Sequence, residues 1–412
     1  MSDTKPVSAK KRIELIDALR GFAIFGILMV NMPLMFKPAV EMIMFPTLGE
    51  GTVEVLSNSF IYFFFNSKFF VLFSLLFGLG FYIFLRKDGE PNKGVLKLFR
   101  KRLFWLLAIG VLHVSLLWEG DILIYYALLG FILLLFRKSS IKKITIWIFI
   151  FLLIPIVFVG LISLVPAMLQ SNPEALAAFN EGSEQQILAT KDLLSRAYEV
   201  YTTGTYGEKI GMNWEQWLVF LPGIFIFYPT CMAMFLLGLI IGKKSWISNH
   251  REHLPFYRKV FRISLPVGIL FNLLLVWSID NMSPATLDSW ALINTIAGII
   301  GGISLMCTYV SGLVLLYEKG IIPRLTSWLS AAGRMALTNY IGHSLIAFIL
   351  FRSSLSLGLF GKIEIWHGIG ITVLIIVFQV IFSKWWLKKY RFGPLEWLWR
   401  TMTYGKVQPL RK

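Results

Sequence analysis

The chain has 412 residues, of which 56% are hydrophobic and only 15% charged, with a formal net charge of +17. A soluble protein carries about 25% charged residues, so this composition speaks against an assembly of soluble domains and for one continuous membrane domain. The two cysteines, Cys231 and Cys307, each lie inside an apolar run, which excludes a disulfide framework and a CxxC metal pattern.

A bilayer span needs about 20 apolar residues, and such runs recur down the whole chain. The first follows Lys10-Lys11-Arg12 and at its start imitates a signal peptide. Asp17 and Arg20 interrupt it and no A-x-A cleavage pattern follows, so it reads as a retained helix over 15–36. Further spans are predicted at 56–85, 103–118, 122–136, 143–168, 216–242, 261–279, 289–317, 325–351 and 366–387. The fold class is therefore all-α, a polytopic helix bundle of about ten transmembrane helices in a single transmembrane domain over residues 1–412. No internal repeat is visible, and none of the broken helices that often mark transporters.

Basic residues set the orientation. They cluster in Lys97, Arg100, Lys101 and Arg102, in Arg137, Lys138, Lys142 and Lys143, in Lys243, Lys244, Arg251, Arg258, Lys259 and Arg262, and in Lys384, Lys388, Lys389 and Arg391. The opposite segments hold only Lys37, Lys191, Arg196, Lys209, Arg352 and Lys362. This bias predicts both termini in the cytoplasm, with 388–412 as a cytoplasmic tail. Basic loops against anionic lipid heads account for the net charge, so nucleic acid is not an expected partner. The polar segment 169–215 is an extracytoplasmic loop, with an amphipathic helix expected from Glu184 to Tyr201; it is either a passive cap or a lid.

Ionisable and amide side chains at membrane depth are costly and face a bundle interior or a wet cavity. Here they are Arg20, Lys68, Arg334, His113, His343, Asn31, Asn66 and Asn339, with Asp17, Asp121 and Glu396 at the edges. Asp17 and Arg20 share a helix face, and Asn31 returns to nearly the same face about 16 Å further along. Arg334 and Thr338 are expected one turn apart on one helix, as are Asn339 and His343. Depth sorts these groups into an inner layer (Asp17, Arg20, Arg334, Thr338, Glu396, Arg400) and an outer one (Asn31, Asn66, Lys68, His113, Asp121, His343). The inner layer suits an anionic ligand held by arginine forks; alternatively Arg20 pairs with Asp17 and Arg334 with Glu396 as structural ion pairs. The outer layer suits proton transfer, with His113 as general base and Asp121 orienting it. No acid or histidine cluster has metal spacing, so no metal is expected. Gly78, Gly80, Gly238, Gly242 and the Gly298-Gly301-Gly302 group read as close-packing points between helices.

Several motifs resemble the YeiB-type bacterial membrane proteins, a family defined by a domain of unknown function. They are Leu15-Ile16-Asp17-Ala18-Leu19-Arg20-Gly21-Phe22 ending in Val30-Asn31, Phe73 to Gly80, and Leu112-His113 followed by Trp118-Glu119-Gly120-Asp121. The C-terminal ones are Gly333-Arg334-Met335-Ala336-Leu337-Thr338-Asn339-Tyr340 and Gly393-Pro394-Leu395-Glu396-Trp397-Leu398-Trp399-Arg400. That family is similar, more distantly, to a transmembrane acyltransferase superfamily that includes heparan-α-glucosaminide N-acetyltransferase. The resemblance implies a cytosolic acyl-CoA donor and an acceptor on the far side, such as an amino sugar. Asn31 matches an asparagine of that enzyme. Residues 32–55 contain no histidine where the enzyme has its catalytic one, so His113 would have to take that part, or the reaction differs.

The leading expectation is thus a bacterial plasma-membrane acyltransferase using acyl-CoA. His113, Asp121 and Asn31 are its catalytic candidates, with Asn31 on the thioester carbonyl or its oxyanion. Arg20 and Arg334, with Thr338, Asp17 and Glu396, hold the donor, and Lys68, Asn66, Asn339 and His343 line the acceptor side. The partners expected are the lipid bilayer, a small-molecule donor and acceptor, and a second copy of the chain if it dimerises. An exporter of a polar or anionic metabolite and a non-catalytic scaffold or sensor are the alternatives.

Overall fold

A computed structural model describes residues 14–86, 92–283, 287–352 and 357–412. The Lys10-Lys11-Arg12 run lies outside the described residues. The first half of the chain forms α1 (Glu14–Phe36), α2 (Ala39–Met44), α3 (Thr52–Phe64), α4 (Phe69–Leu85), α5 (Lys93–Leu116), α6 (Leu123–Leu133), α7 (Ile141–Met168) and α8 (Pro173–Thr203). The second half forms α9 (Tyr206–Val219), α10 (Tyr228–Lys243), α11 (Leu254–Ile279), α12 (Ser289–Glu318), α13 (Pro323–Arg334), α14 (Ala336–Ala347), α15 (Ile365–Lys389) and α16 (Pro394–Tyr404). No strand occurs among the described residues. In hydrocarbon every backbone N–H and C=O must be satisfied within the chain, and helices do this locally.

The protein is an all-α polytopic membrane bundle. Among the described residues seven helical stretches are long and apolar enough to cross a bilayer, α3 and α4 counting together as one, and eight if α13 and α14 with its extension to Arg352 count as one bent span. The two other expected segments, 103–118 and 122–136, fall on the second half of α5 and on the short apolar helix Leu123–Phe136. Helix α1 is the axis of the bundle: 72% of its apolar window is buried, against 11% for α7, whose side chains face outward. Around α1 sit α4, α13, α14 and α15, with α10 behind α4 and α11 paired with α12.

Small residues let these backbones touch, because lipid gives helices no hydrophobic drive to associate and close van der Waals contact must replace it. Where α4 crosses α10 the contact is reciprocal: a Cβ on Gly78 would lie 2.0 Å from the Phe235 carbonyl oxygen, and one on Gly238 2.0 Å from that of Leu75. Gly80 differs from the expected helix contact. Its open side receives the Arg20 guanidinium, 3.5 Å from where a Cβ would be.

Two expected continuous spans are interrupted. The 56–85 segment breaks between α3 and α4, where Ser67 takes a left-handed conformation at φ 66°. The 325–351 segment turns by 79° between α13 and α14. There Gly333 presses on α1 so closely that a Cβ would lie 1.8 Å from the Asp17 carbonyl oxygen, and Met335 N–H closes back on Ala332 at 3.0 Å. Arg334 and Thr338 therefore end one helix and begin another, and the expected one-turn spacing on a common face does not hold.

The 169–215 segment is helical, with α8 covering the expected amphipathic stretch. Its ends carry strong start signals. Asn172 caps α8 by accepting from Ala175 N at 3.1 Å, and Thr205 and Glu208 form a reciprocal capping box on α9.

Candidate functional site

His113 sits one turn before the end of α5, and its carbonyl accepts the N–H groups of Leu117 at 2.9 Å and Trp118 at 3.1 Å. That closure folds the chain back so that Asp121, eight residues on, faces the imidazole: Nδ1 to Oδ1 is 2.8 Å. The other carboxylate oxygen accepts the N–H of Ile124 at 2.8 Å, at the start of α6. Gly110 leaves room for it, since a Cβ there would stand 2.9 Å from Asp121 Oδ2.

The second ring nitrogen is engaged as well. His113 Nε2 lies 2.8 Å from the hydroxyl of Ser344, on α14. His113 is 2% exposed, Asp121 5% and Ser344 1%. Where the Asp121 carboxylate is ionised it only accepts, which puts the ring proton on Nδ1 and leaves the Nε2 lone pair to the Ser344 O–H. Tyr340, one turn before Ser344, braces the same turn: its hydroxyl accepts from Ile122 N at 3.3 Å and reaches the Gly120 carbonyl at 3.4 Å. Serine, histidine and acid thus form a relay in the order of a nucleophile, its base and the base's orienter. Ser344 is absent from the expected site, although its place four residues after Tyr340 puts it on the same helix face.

A second polar layer seals this site from the α8–α9 hairpin. Arg352 and Glu119 form a buried bidentate pair at 2.6 and 3.0 Å, and the Arg352 guanidinium lies 3.9 Å from the Tyr201 ring centre. Tyr201 donates to Asn213 Oδ1 at 2.8 Å and accepts from Gln216 Nε2 at 2.8 Å. Asn213 in turn donates to the Val114 carbonyl at 3.0 Å, one residue past His113, and Lys209 donates to that of Arg352 at 2.7 Å. Burial and the charge of Glu119 push the Tyr201 phenol well up, so it stays protonated and able to donate.

The inner layer is rearranged relative to expectation. Arg20 pairs with Asp17 at 2.7 Å, the alternative that the spacing allowed. Glu396 is engaged within the fold. Its Oε1 accepts from Leu337 N at 2.6 Å and Thr338 N at 3.0 Å, and its Oε2 from the Thr338 hydroxyl at 2.6 Å. The kink before α14 exposes orphan N–H groups at its first turn, and this carboxylate satisfies them. Arg334 reaches the Arg391 carbonyl at 3.4 Å.

A different arginine joins Arg20. Arg102, at the base of the α5 span, lies 3.9 Å over the Trp399 ring, and Trp399 Nε1 donates to the Arg102 carbonyl at 2.9 Å. Arg20 and Arg400 stand close enough for their charges to act on Arg102. The Arg102 guanidinium itself makes no hydrogen bond or ion pair among the described residues. Three guanidinium groups thus act on one another here, and Asp17 is bonded to Arg20.

The residues assigned to an acceptor side fall into two separate hydrogen-bonded groups. His343 Nε2 meets Gln379 Oε1 at 2.7 Å, and Asn339 donates to Ser383 at 3.2 Å and to the Ala332 carbonyl at 3.0 Å, so both face α15. Asn66 and Lys68 sit at the α3–α4 break, where fully buried Lys68 donates to the Tyr62 carbonyl at 2.8 Å and Asn66 accepts from Ser67 at 3.2 Å. Asn31, partly buried on α1, makes no side-chain hydrogen bond among the described residues.

Bundle and buried relay together define a multi-pass membrane protein with an ordered polar interior. Residues 241–406 match a family described as "Protein of unknown function (DUF418)". The chain is 32% identical to "Uncharacterized protein YxaH" of Bacillus subtilis (strain 168), over 100% of this chain and 99% of that protein. It is 30% identical to "Uncharacterized 39.9 kDa protein in amylase 3'region" of Bacillus acidopullulyticus, over 98% and 97% of the two chains. With "Uncharacterized protein YeiB" of Escherichia coli (strain K12) the identity is 26%, over 96% and 97%. The chain belongs to this YeiB-type family.

Proposed function

We propose that the protein is a plasma-membrane acyltransferase that passes an acyl group from cytosolic acyl-CoA to a hydroxyl or amine on the opposite side. The observation that carries the reading is His113, fixed by Asp121 through Nδ1 and offering Nε2 to a hydroxyl at 2.8 Å. That is the geometry a general base needs before it can activate an acceptor. The donor's phosphates would lie on Arg20, Arg102 and Arg400, whose charges act on one another and of which Arg102 has no anionic partner among the described residues. Both termini would face the cytoplasm, which puts this arginine cluster on the side where acyl-CoA is found.

The test is transfer by the purified protein in lipid nanodiscs, with radiolabelled acetyl-CoA and a panel of amino sugars and polyols. Wild type should transfer label and His113→Ala should not. Acetyl-CoA that neither binds nor is consumed by wild type would remove this reading.

The two interrupted spans favour a second reading, a transporter of an anionic or polar metabolite. Transporters bind substrate where helices break at membrane depth, and fully buried Lys68 sits at such a break with one carbonyl as its hydrogen-bond partner. Flux into proteoliposomes without covalent change of the solute, abolished by Lys68→Met, would select it over transfer.

A further inference from the structure

Resting on the acyl-transfer reading, we propose that Ser344 is a nucleophile that carries the acyl group as a serine ester between donor and acceptor. A serine inside a helix ordinarily returns its proton to the carbonyl four residues back. Ser57, Ser311 and Thr372 of this chain do so at 2.7, 2.6 and 2.8 Å. Ser344 does not: its hydroxyl is spent on His113 Nε2 at 2.8 Å. The rest of the relay is in place behind it, with Asp121 on Nδ1 and Ile124 N–H on the far carboxylate oxygen.

Position supports the role. Ser344 lies six residues after Thr338, where Glu396 caps the helix, and eight before Arg352, where the hairpin docks. At 1.5 Å per residue that is about 9 Å from one end and about 12 Å from the other. The helix widens into a π turn at Phe348–Arg352, directly after this segment, a form that recurs at functional sites.

The chemistry balances without an added reactant. Ser344 Oγ attacks the thioester carbonyl carbon of acyl-CoA while His113 Nε2 takes its proton. The carbon–sulfur bond then breaks, the proton passes to the departing sulfur, and CoA leaves as its thiol. The acceptor next gives its proton to Nε2 and attacks the ester carbonyl, and Ser344 Oγ departs and regains that proton. No electrons change hands. Substrates arriving from opposite faces then never need to occupy the bundle together.

Two reagents test this on the full chain in nanodiscs. Biotin-linked fluorophosphonate, which phosphonylates activated serines, should modify Ser344 in peptide mass spectra. His113→Ala should slow that labelling by about a thousandfold or more. Radiolabelled acetyl-CoA should leave label on the protein that alkali removes. Ser344→Cys should hold the label as a thioester released by neutral hydroxylamine. Ser344→Ala, matched to wild type in melting temperature, should lose both labels and transfer. If Ser344→Ala still transfers while His113→Ala does not, acyl passes directly to the acceptor; the serine proposal falls and the acyltransferase reading stands. Fluorophosphonate labelling of Ser344 with no use of acetyl-CoA keeps the nucleophile and removes the CoA donor. A folded wild type that fluorophosphonate leaves unlabelled at Ser344 overturns the proposal.

Discussion

Arg352 and Glu119 meet through paired hydrogen bonds of 2.6 and 3.0 Å, both side chains buried, at the seam between the bundle and the α8–α9 hairpin. Removing one partner of such a pair strands the other charge and costs about 3–5 kcal/mol, whereas replacing both with apolar groups is often close to neutral. Glu119→Leu and Arg352→Met should each lower the melting temperature in detergent sharply, and the double substitution should recover much of the loss. In Glu119→Leu protease should cut the hairpin faster, because Tyr201, which donates to Glu119 at 3.3 Å, and Gln216, which donates to it at 3.4 Å, lose that anchor.

Asp121→Asn addresses the tautomer of His113 and little else. An amide in place of the carboxylate can still accept from Ile124 N, but its NH2 then faces Nδ1. The ring proton moves to Nε2, and the imidazole donates where it must accept. Acyl transfer should fall by about ten thousandfold, with the melting temperature nearly unchanged. A variant that keeps more than a tenth of wild-type transfer would show that His113 is an interior hydrogen-bonding residue and not a base.

The arginine cluster leads to a ranking of variants. Arg102→Ala and Arg400→Ala should each weaken binding of radiolabelled acetyl-CoA about tenfold, the effect of losing roughly 1.4 kcal/mol of charge-assisted hydrogen bonding. Arg334→Ala should weaken it less, because Arg334 reaches toward the Arg391 carbonyl at 3.4 Å and is not among the charges that act on Arg102. Raising salt should reduce the wild-type affinity and flatten the ranking.

Most of the helices were legible because apolar length is a property of single segments. The His113–Asp121 pair was legible for a related reason: eight residues with a turn between them bring both groups back to one place. Ser344 and Arg102 were not, because each gains its meaning from a partner far off in the chain, His113 in one case and Arg20 with Trp399 in the other. The hydrogen bonds of Glu396 escaped the sequence for the same cause. Its role depends on the kink before α14, and that kink comes from Gly333 pressing on the α1 backbone, which no local pattern records. Gly80 shows the limit from the other side: the glycine was visible, but not that the Arg20 guanidinium stands beside it, 3.5 Å from where a Cβ would be.

Glu396 offers a test that separates capping from ligand binding. Its carboxylate takes the first N–H groups of α14 and the Thr338 hydroxyl, and Leu395 N in turn donates to that hydroxyl at 3.1 Å, so α16 and the start of α14 are tied together. Loss of a helix cap costs about 1–2 kcal/mol, and Glu396→Ala should destabilise the protein by about that much. Hydrogen exchange at the Leu337 and Thr338 amides should speed up, while more distant helices stay protected. Glu396→Gln retains one good acceptor and should lose about half. Acetyl-CoA binding should not weaken in either variant, because a carboxylate on a helix N-terminus occupies the place an anion would take and repels it. A large loss of donor affinity on Glu396→Ala, with the amides still protected, would mean that this residue contacts the ligand and that its capping role is secondary.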